Sequence, residues 1–529
     1  MLPTISKVAV VGAGSAGLVT ARRLRDRGIE ATIFECNSVA GGAWIYDEQK
    51  PTKPSFPSAP PSDCYPRLPE GKTLPFTECY DDGAVWLRHA PPGPCYEALM
   101  INIETALMRF EGHKYPPGTV RLDPFVGHRS ILEYLQRFSK DFELDGITRY
   151  DTRVENLRKI REGGKSVWKL LSRQLSRDEL GRTIGTWSEE TFDGVVVASG
   201  HYHMEYIPDI PGLAQWAKKW PESVSHAKEF RRPEDVDDKT VVVVGSGFSS
   251  LDIAREISPF VKRIYRSMRD DEGCSLEVKI FRTAVRSLNP ENLSRVAEIE
   301  RFGPVDHASR AQEAQIFLGD GTVLEGVDKI IFCTGYLYVL PFIKSPKDLI
   351  TSDKDSDGAG ETSMGERTLI TDGMQVHNLH KEIFYIYDPT LAFIGIPKGV
   401  VTLPFFDVQA MAVAAVFAGT TNLPTVSEMK LEYEERNAKG GRIPHWLGVT
   451  LERKYVEDIM GWIGEGNGSR AGYDEVWYQT RFTGLERFLR NRLSNRDFHP
   501  NLEAQDIEAR VQEMRRGAER LIKAAAAGA

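Results

Sequence analysis

The chain is short of cysteine. Its 529 residues include six, Cys36, Cys64, Cys79, Cys95, Cys274 and Cys333, and no two stand in a CxxC pair. A disulfide scaffold needs a higher density, so these read as free thiols of a reducing compartment. No run comes near the ~18 consecutive apolar residues of a membrane-spanning helix. The amino end, Met1 to Ser6, lacks both a charged region and an apolar core, so no secretory signal is expected and a cytoplasmic location is. Basic charge is not in excess: 67 Lys plus Arg face 75 Asp plus Glu, a net charge of −8. That removes the electrostatic reason for binding nucleic acid or an anionic membrane. No metal-ligand spacing is evident, and Ala524 to Ala529 reads as a frayed helix end, not an anchor.

What is present is an ordinary globular composition, 41% apolar and 27% charged. At ~100–200 residues per domain the length predicts two to four domains. Val8-Ala9-Val10-Val11 is a buried-strand run. It breaks into Gly12-Ala13-Gly14-Ser15-Ala16-Gly17, and a helical stretch over 18–27 follows. Gly28 stops that helix, a second strand runs over 31–34, and Glu35 ends it. Gly12 permits the tight turn, Gly14 leaves room for a pyrophosphate, and Gly17 lets the helix pack on the strand. The helix start, at Ser15 and Ala16, directs free N–H groups and a positive dipole end at the anion. Glu35, 18 residues after Gly17, stands where a carboxylate accepts from both ribose hydroxyls.

The unit recurs about 230 residues on. A strand over 240–244 enters Gly245-Ser246-Gly247-Phe248-Ser249-Ser250, a helix starts at Leu251, and a strand follows over 261–265. Ser250 replaces the third glycine and is small enough to keep the packing. No acid ends this strand; Lys262, Arg263, Arg266 and Arg269 flank it instead. A carboxylate would repel a 2′-phosphate and a guanidinium fork pairs with one, so this unit favours NADP, with Arg266 ahead of Arg263 and Arg269. Two further strands, over 192–197 and 329–332, end in Ala198-Ser199-Gly200 and Cys333-Thr334-Gly335-Tyr336. They read as the two crossings between domains.

The expected fold is therefore α/β, with two Rossmann-like dinucleotide-binding domains and the NADPH domain inserted in the FAD domain. The boundaries are 1–208 and 326–424 for FAD, 209–325 for NADPH, and 425–529 for a helical carboxyl-terminal extension. Residues 47–75 and 345–373 read as long loops, functional covers or surface excursions. Over 503–523 an amphipathic helix is expected from Ile507, Val511, Met514 and Leu521. An acid-terminated turn plus an arginine-flanked one suggests FAD plus NADPH. The disulfide reductases share that layout and pass electrons to a cysteine pair; without such a pair, oxygen becomes the acceptor.

At this point the residues resemble a family, the flavin-containing monooxygenases. Gly41-Gly42-Ala43-Trp44 looks like its GGxW. The stretch from Pro94-Cys95-Tyr96 through Ile101-Asn102 to Met108-Arg109-Phe110 is similar to the segment carrying its flavin-side asparagine. Ser199-Gly200-His201-Tyr202 with Ile207-Pro208 resembles the linker into its NADPH domain. Phe332-Cys333-Thr334-Gly335-Tyr336 resembles its FATGY return, and Asp388-Pro389-Thr390-Leu391 with Gln409 its last flavin-domain strand and helix. The similarity runs over about 7–424. The fingerprint FxGxxxHxxx(F/Y) is altered at Trp220 and Glu222 but keeps His226 and Phe230, which looks more like an N- or S-oxygenase than a Baeyer–Villiger enzyme.

The resemblance implies that Gly42, Trp44, Asn102, Val154 and Gln409 join the first turn around FAD, and that Tyr202 and Ser249 join the second around NADPH. It implies an NADPH- and O₂-dependent monooxygenase in which a flavin C4a-hydroperoxide transfers oxygen to a soft heteroatom of a small-molecule metabolite. Nitrogen comes first, giving a hydroxylamine, N-oxide or nitrone of a secondary metabolite. Asn102 is the residue placed nearest the reacting flavin face; the family is often dimeric, which leaves the oligomeric state open between a monomer and a homodimer. Three alternatives stay open: Baeyer–Villiger insertion into a ketone, an NADPH oxidase or flavin reductase, and an NADPH sensor without turnover.

Overall fold

The computed structural model describes residues 4–116, 124–269, 274, 276–286, 288–349, 366–439, 443–465, 473–494 and 503–527. Its first sheet has seven strands, in the order Leu379–His380, Phe384–Tyr385, Leu391–Phe393, Gly194–Val197, Lys7–Val11, Glu30–Phe34 and Thr148–Arg149. From Leu391–Phe393 onward the pairing is parallel. Gly194–Val197 is buried throughout, and in Lys7–Val11 only Lys7 is not, which is why these strands read as unbroken apolar runs. Helix Ser15–Asp26 covers one face beside Thr402–Phe417, a largely apolar helix that is almost wholly buried. The two are pinned by Arg23, which donates from Nε to Asp407 at 2.6 Å. The opposite face is covered by an antiparallel sheet ordered Phe76–Tyr80, Thr183–Phe192, Lys165–Arg177 and Thr152–Glu162.

The second sheet is wholly parallel: Val224–His226, Lys329–Phe332, Thr240–Val244, Arg263–Ser267 and Leu293–Val296. Two expectations are corrected here. Lys329–Phe332 lies inside this sheet, hydrogen-bonded on both sides, so a return to the first unit at 326 comes one strand too early. The strand expected over 261–265 is displaced to Arg263–Ser267, because its register is set by Thr240–Val244 and not by its own apolar residues. The connections between the sheets run side by side, Met204–Glu205 pairing antiparallel with Tyr336–Leu337.

Among the described residues beyond 424 come the helices Val426–Lys439, Gly448–Trp462, Glu475–Leu493 and Ala504–Ala527. In the last, Val511 and Met514 are buried as expected, while the side chain of Leu521 lies outside the described residues. So do 350–365, most of the second loop. The third helix is wedged between the two nucleotide units: the Phe488 ring is 5.7 Å from Phe125 and 6.2 Å from Phe248. Among the described residues no helix is long and apolar enough to cross a membrane, and no group of His, Cys, Asp and Glu could hold a metal ion.

Candidate functional site

Both glycine turns leave the carboxyl ends of parallel strands, where such sheets bind ligands. In the first, Gly12 sits at φ +104° and its N–H donates to Phe34 O at 2.8 Å. A Cβ there would lie 2.7 Å from Ala198 O, and one on Gly17 would lie 1.8 Å from Gly12 O. Across the turn Gly42, at φ +57°, has room for no Cβ, since one would come within 2.9 Å of Gly14 Cα. The helix that starts at Ser15 has no capping side chain, so its first N–H groups have no side-chain acceptor. Gly41 donates to Ala13 O at 3.0 Å, which ties the Gly42–Trp44 turn to this cradle, with Trp44 half-buried beside it. Glu35 Oε2 accepts from Ala13 N–H at 2.6 Å, and Oε1 accepts from the Asn37 backbone and carboxamide, each at 2.8 Å. Val154 is buried in the next layer, two residues beyond the Thr152 N–H that donates to Glu35 O. The strand-end acid, the bare backbone and the uncapped helix start fit a dinucleotide.

Asn102 lies in a segment held by Ile101 N–H to Val126 O at 3.0 Å and Thr105 N–H to Pro124 O at 2.9 Å. Among the described residues its half-buried carboxamide has no hydrogen-bond partner, so it caps no helix. The extension braces this segment: Arg492 donates from Nη2 to Ile101 O at 3.2 Å, and Arg487 pairs with Glu104.

In the second turn Gly245 has φ +136°, and a Cβ would meet Cys333 O at 2.4 Å. Gly247 opens to free space and Ser249 is exposed on the first helical turn. Ser250 is buried, and its hydroxyl donates to Gly247 O at 2.8 Å. The leading arginine is corrected. Arg266 is 0% exposed beneath the turn and donates to Ser250 Oγ at 2.8 Å and Asn289 Oδ1 at 3.3 Å. It props the turn from inside and is not presented to a ribose phosphate. Arg263 stands at the amino end of the strand, away from the ligand edge. Arg269, exposed and two residues past the strand, is the one at the ligand edge.

Three more expected residues are placed as follows. Tyr202 is exposed on the crossing, 5.0 Å from the Tyr336 ring. Gln409 is fully buried; its carbonyl accepts from Gly395 N–H and its amide donates to Tyr455 Oη, both at 3.0 Å. Both ends are engaged by protein, so Gln409 fixes the Gly395 loop and is not itself presented to a ligand. His226 is buried with both ring nitrogens on backbone: Nε2 donates to Gly335 O at 3.1 Å and Nδ1 accepts from Lys228 N–H at 3.2 Å. Burial lowers its pKa to about 3, so as a neutral ring it ties the end of strand Val224–His226 to the crossing at Gly335. Sequence reasoning missed Arg492, Phe488, Glu452 and Lys398. They sit in the extension or in a loop, where no motif marks them.

Two dinucleotide cradles, one on each of two parallel sheets joined by paired crossings, define a flavoprotein oxidoreductase that takes a nicotinamide coenzyme as its second nucleotide. Comparison with known proteins narrows this class. Residues 78–278 match the family description "Flavin-binding monooxygenase-like", and 10–57 match an NAD(P)-binding Rossmann-like domain. The chain is 35% identical over 517 residues to flavin-containing monooxygenase ustF2 of Aspergillus flavus, covering 90% of this chain and 97% of that one. It is 31% identical over 492 residues to flavin-containing monooxygenase iboF of Amanita muscaria, covering 88% and 90%. Among solved structures, S-allyl-L-cysteine S-oxygenase from Allium sativum superposes with a TM-score of 0.66 at 25% identity, covering 96% and 98%. The chain belongs to the flavin-containing monooxygenase family; it is an FAD- and NADPH-dependent monooxygenase.

Proposed function

We propose that this enzyme uses NADPH and O₂ to oxygenate a soft heteroatom of a small-molecule metabolite, nitrogen first, giving a hydroxylamine, N-oxide or nitrone. FAD belongs to the cradle of the first sheet and NADPH to that of the second. When bound and reduced by NADPH, FAD supplies the oxygen-activating chemistry. The observation that carries the reading is Asn102: a carboxamide with no protein partner among the described residues, held on a segment braced from two sides. Oxygen transfer to an amine or sulfide needs no proton relay from side chains. His226, the histidine of the fingerprint, is neutral and bound to backbone at both nitrogens.

The chain's own residues then orient and exclude. Asn102 offers one donor group and one acceptor to whatever lies at the flavin face. Trp44 walls the crevice, and the extension closes it from the side of Phe488, which keeps water out. Arg269 takes the coenzyme's 2′-phosphate. Sulfur is the second choice of atom, and the Allium relative, named an S-oxygenase, favours it.

The test is a panel of secondary amines, hydroxylamines, sulfides and cyclic ketones, scored by NADPH oxidation, oxygen uptake and product mass. Products heavier by one oxygen at nitrogen or sulfur are expected. Lactones from the ketones, or H₂O₂ equal to the NADPH consumed with every substrate, would sink the proposal. Asn102→Ser is expected to keep its FAD and to release more H₂O₂ per NADPH. An unchanged ratio would remove Asn102 from its role.

A further inference from the structure

The loop Gly395 to Val401 joins strand Leu391–Phe393 to helix Thr402–Phe417 and so leaves the same sheet edge as the first glycine turn. Its first residue accepts from the crossing, Gly395 O lying 3.2 Å from His201 Nδ1. Its far end meets the Asn102 segment, Thr402 Oγ1 lying 3.6 Å from Met108 Sδ. Lys398 thus lies on a loop that touches the coenzyme crossing at one end and the Asn102 segment at the other. Its backbone is clamped by the extension, its N–H donating to His445 O at 2.8 Å and its carbonyl accepting from Leu447 N–H at 3.0 Å. A parallel bridge pairs it with Trp446.

The amine itself has no carboxylate partner among the described residues. Its one compensating contact among them is the Tyr338 ring, 4.5 Å from Nζ. Glu382 is taken: it pairs with Arg436 Nε at 3.1 Å and accepts from His445 Nδ1 at 2.7 Å. An ammonium drawn this far out of water without an anion is costly, and burial lowers the Lys398 pKa to about 8. A lysine kept for solubility would point to solvent, as its flexible stem allows. This one is half-buried, its backbone is held by two hydrogen bonds, and among the described residues no anion offsets its charge.

We propose that Lys398 docks a carboxylate of the substrate, so that the molecule oxygenated is an anionic, amino-acid-like metabolite and not a neutral lipophilic amine. The proposal rests on the oxygenase reading above for what happens next, but not for binding. One charge-assisted pair then fixes one end of the substrate and leaves the heteroatom to reach the flavin face.

The test uses oxidised, NADP⁺-loaded holoenzyme and two acid–amide pairs: S-allyl-L-cysteine and N-methyl-L-phenylalanine, each with its primary amide. Calorimetric binding is read first and needs no turnover. Wild type is expected to bind at least one acid about 10–100-fold more tightly than its amide, the range of a charged hydrogen bond. Lys398→Met and Lys398→Gln are expected to remove that preference and leave amide binding, FAD content and NADP⁺ affinity unchanged. For whichever pair turns over, KM for the acid rises and kcat holds. Wild type that does not distinguish acid from amide overturns the proposal. So do variants that lose FAD or NADP⁺ affinity, because the lysine would then serve a cofactor phosphate. Acid preference without oxygenated product would leave the docking site standing and defeat the heteroatom reading alone.

Discussion

Glu452→Gln tests how the extension is fastened. Glu452, on helix Gly448–Trp462, is 1% exposed. Its Oε1 accepts from Val401 N–H at 2.8 Å and Tyr473 Oη at 3.1 Å, and its Oε2 has no partner among the described residues. It thereby caps the start of helix Thr402–Phe417 from another part of the chain. Burial raises its pKa from an ordinary 4.5 to about 7, opposed by the charge of Arg481 and by the two donors. A folded pKa above the unfolded one means that the folded state holds this proton more tightly. The resulting stability is full below pH ~4.5 and is lost as pH rises to about 7. At about 1.4 kcal/mol per pH unit the loss is about 3 kcal/mol. The substituted glutamine would keep the accepting carbonyl and replace the protonated oxygen by an amide, so it has no charge to bury. Unfolding of the holoenzyme, followed by flavin release and far-ultraviolet circular dichroism, should give nearly equal stability for the two proteins at about pH 4, below the ordinary carboxyl value. By pH 8.5 the variant should be ahead by about 3 kcal/mol, several degrees in Tm for a cooperative unit of ~150–250 residues. Other titrating groups cancel in the difference. A constant offset at every pH would refute the buried-carboxyl argument.

Gly17→Ala places a methyl 1.8 Å from Gly12 O, and the purified protein should lose most of its flavin, read as a collapse of the flavin absorbance relative to that of the protein. Arg269→Ala should raise KM for NADPH about 10–100-fold with little change for NADH. Arg266→Ala should instead lower Tm with both coenzymes, because it empties a buried position under the turn. If Arg266→Ala alone changed coenzyme preference, the assignment would be reversed. His226→Gln should leave the pH–rate profile above pH ~5 unchanged in shape, since the pKa of His226 is already down at about 3. A limb that disappears with the histidine would contradict that.

The glycine turns were readable because their demands are local. Gly12 and Gly245 need a positive φ, Gly17 needs contact with the preceding strand, and Glu35 needs only to end the next one, all within about 25 residues. The arginine choice was not readable. Which of Arg263, Arg266 and Arg269 faces a phosphate depends on strand register and on what lies beneath the turn, and register was fixed by pairing with Thr240–Val244. The place of Gln409 was not readable for the same reason: a polar residue on a helix can face a ligand or, as here, join a loop amide to a tyrosine hydroxyl of the extension.

By itself, the order of residues determined that two nucleotide cradles exist, which of them carries the acid, and which family's chemistry they serve. Those features are written in short-range backbone geometry and in the spacing of small and charged residues. Only the tertiary structure decided that Lys329–Phe332 completes the second sheet and that Phe488 wedges between the cradles. It alone set Arg492 on the Asn102 segment and left Lys398 without an anion among the described residues. These contacts join residues as much as 391 positions apart, and no local pattern encodes which distant side chain will close over a site or what charge it will find there.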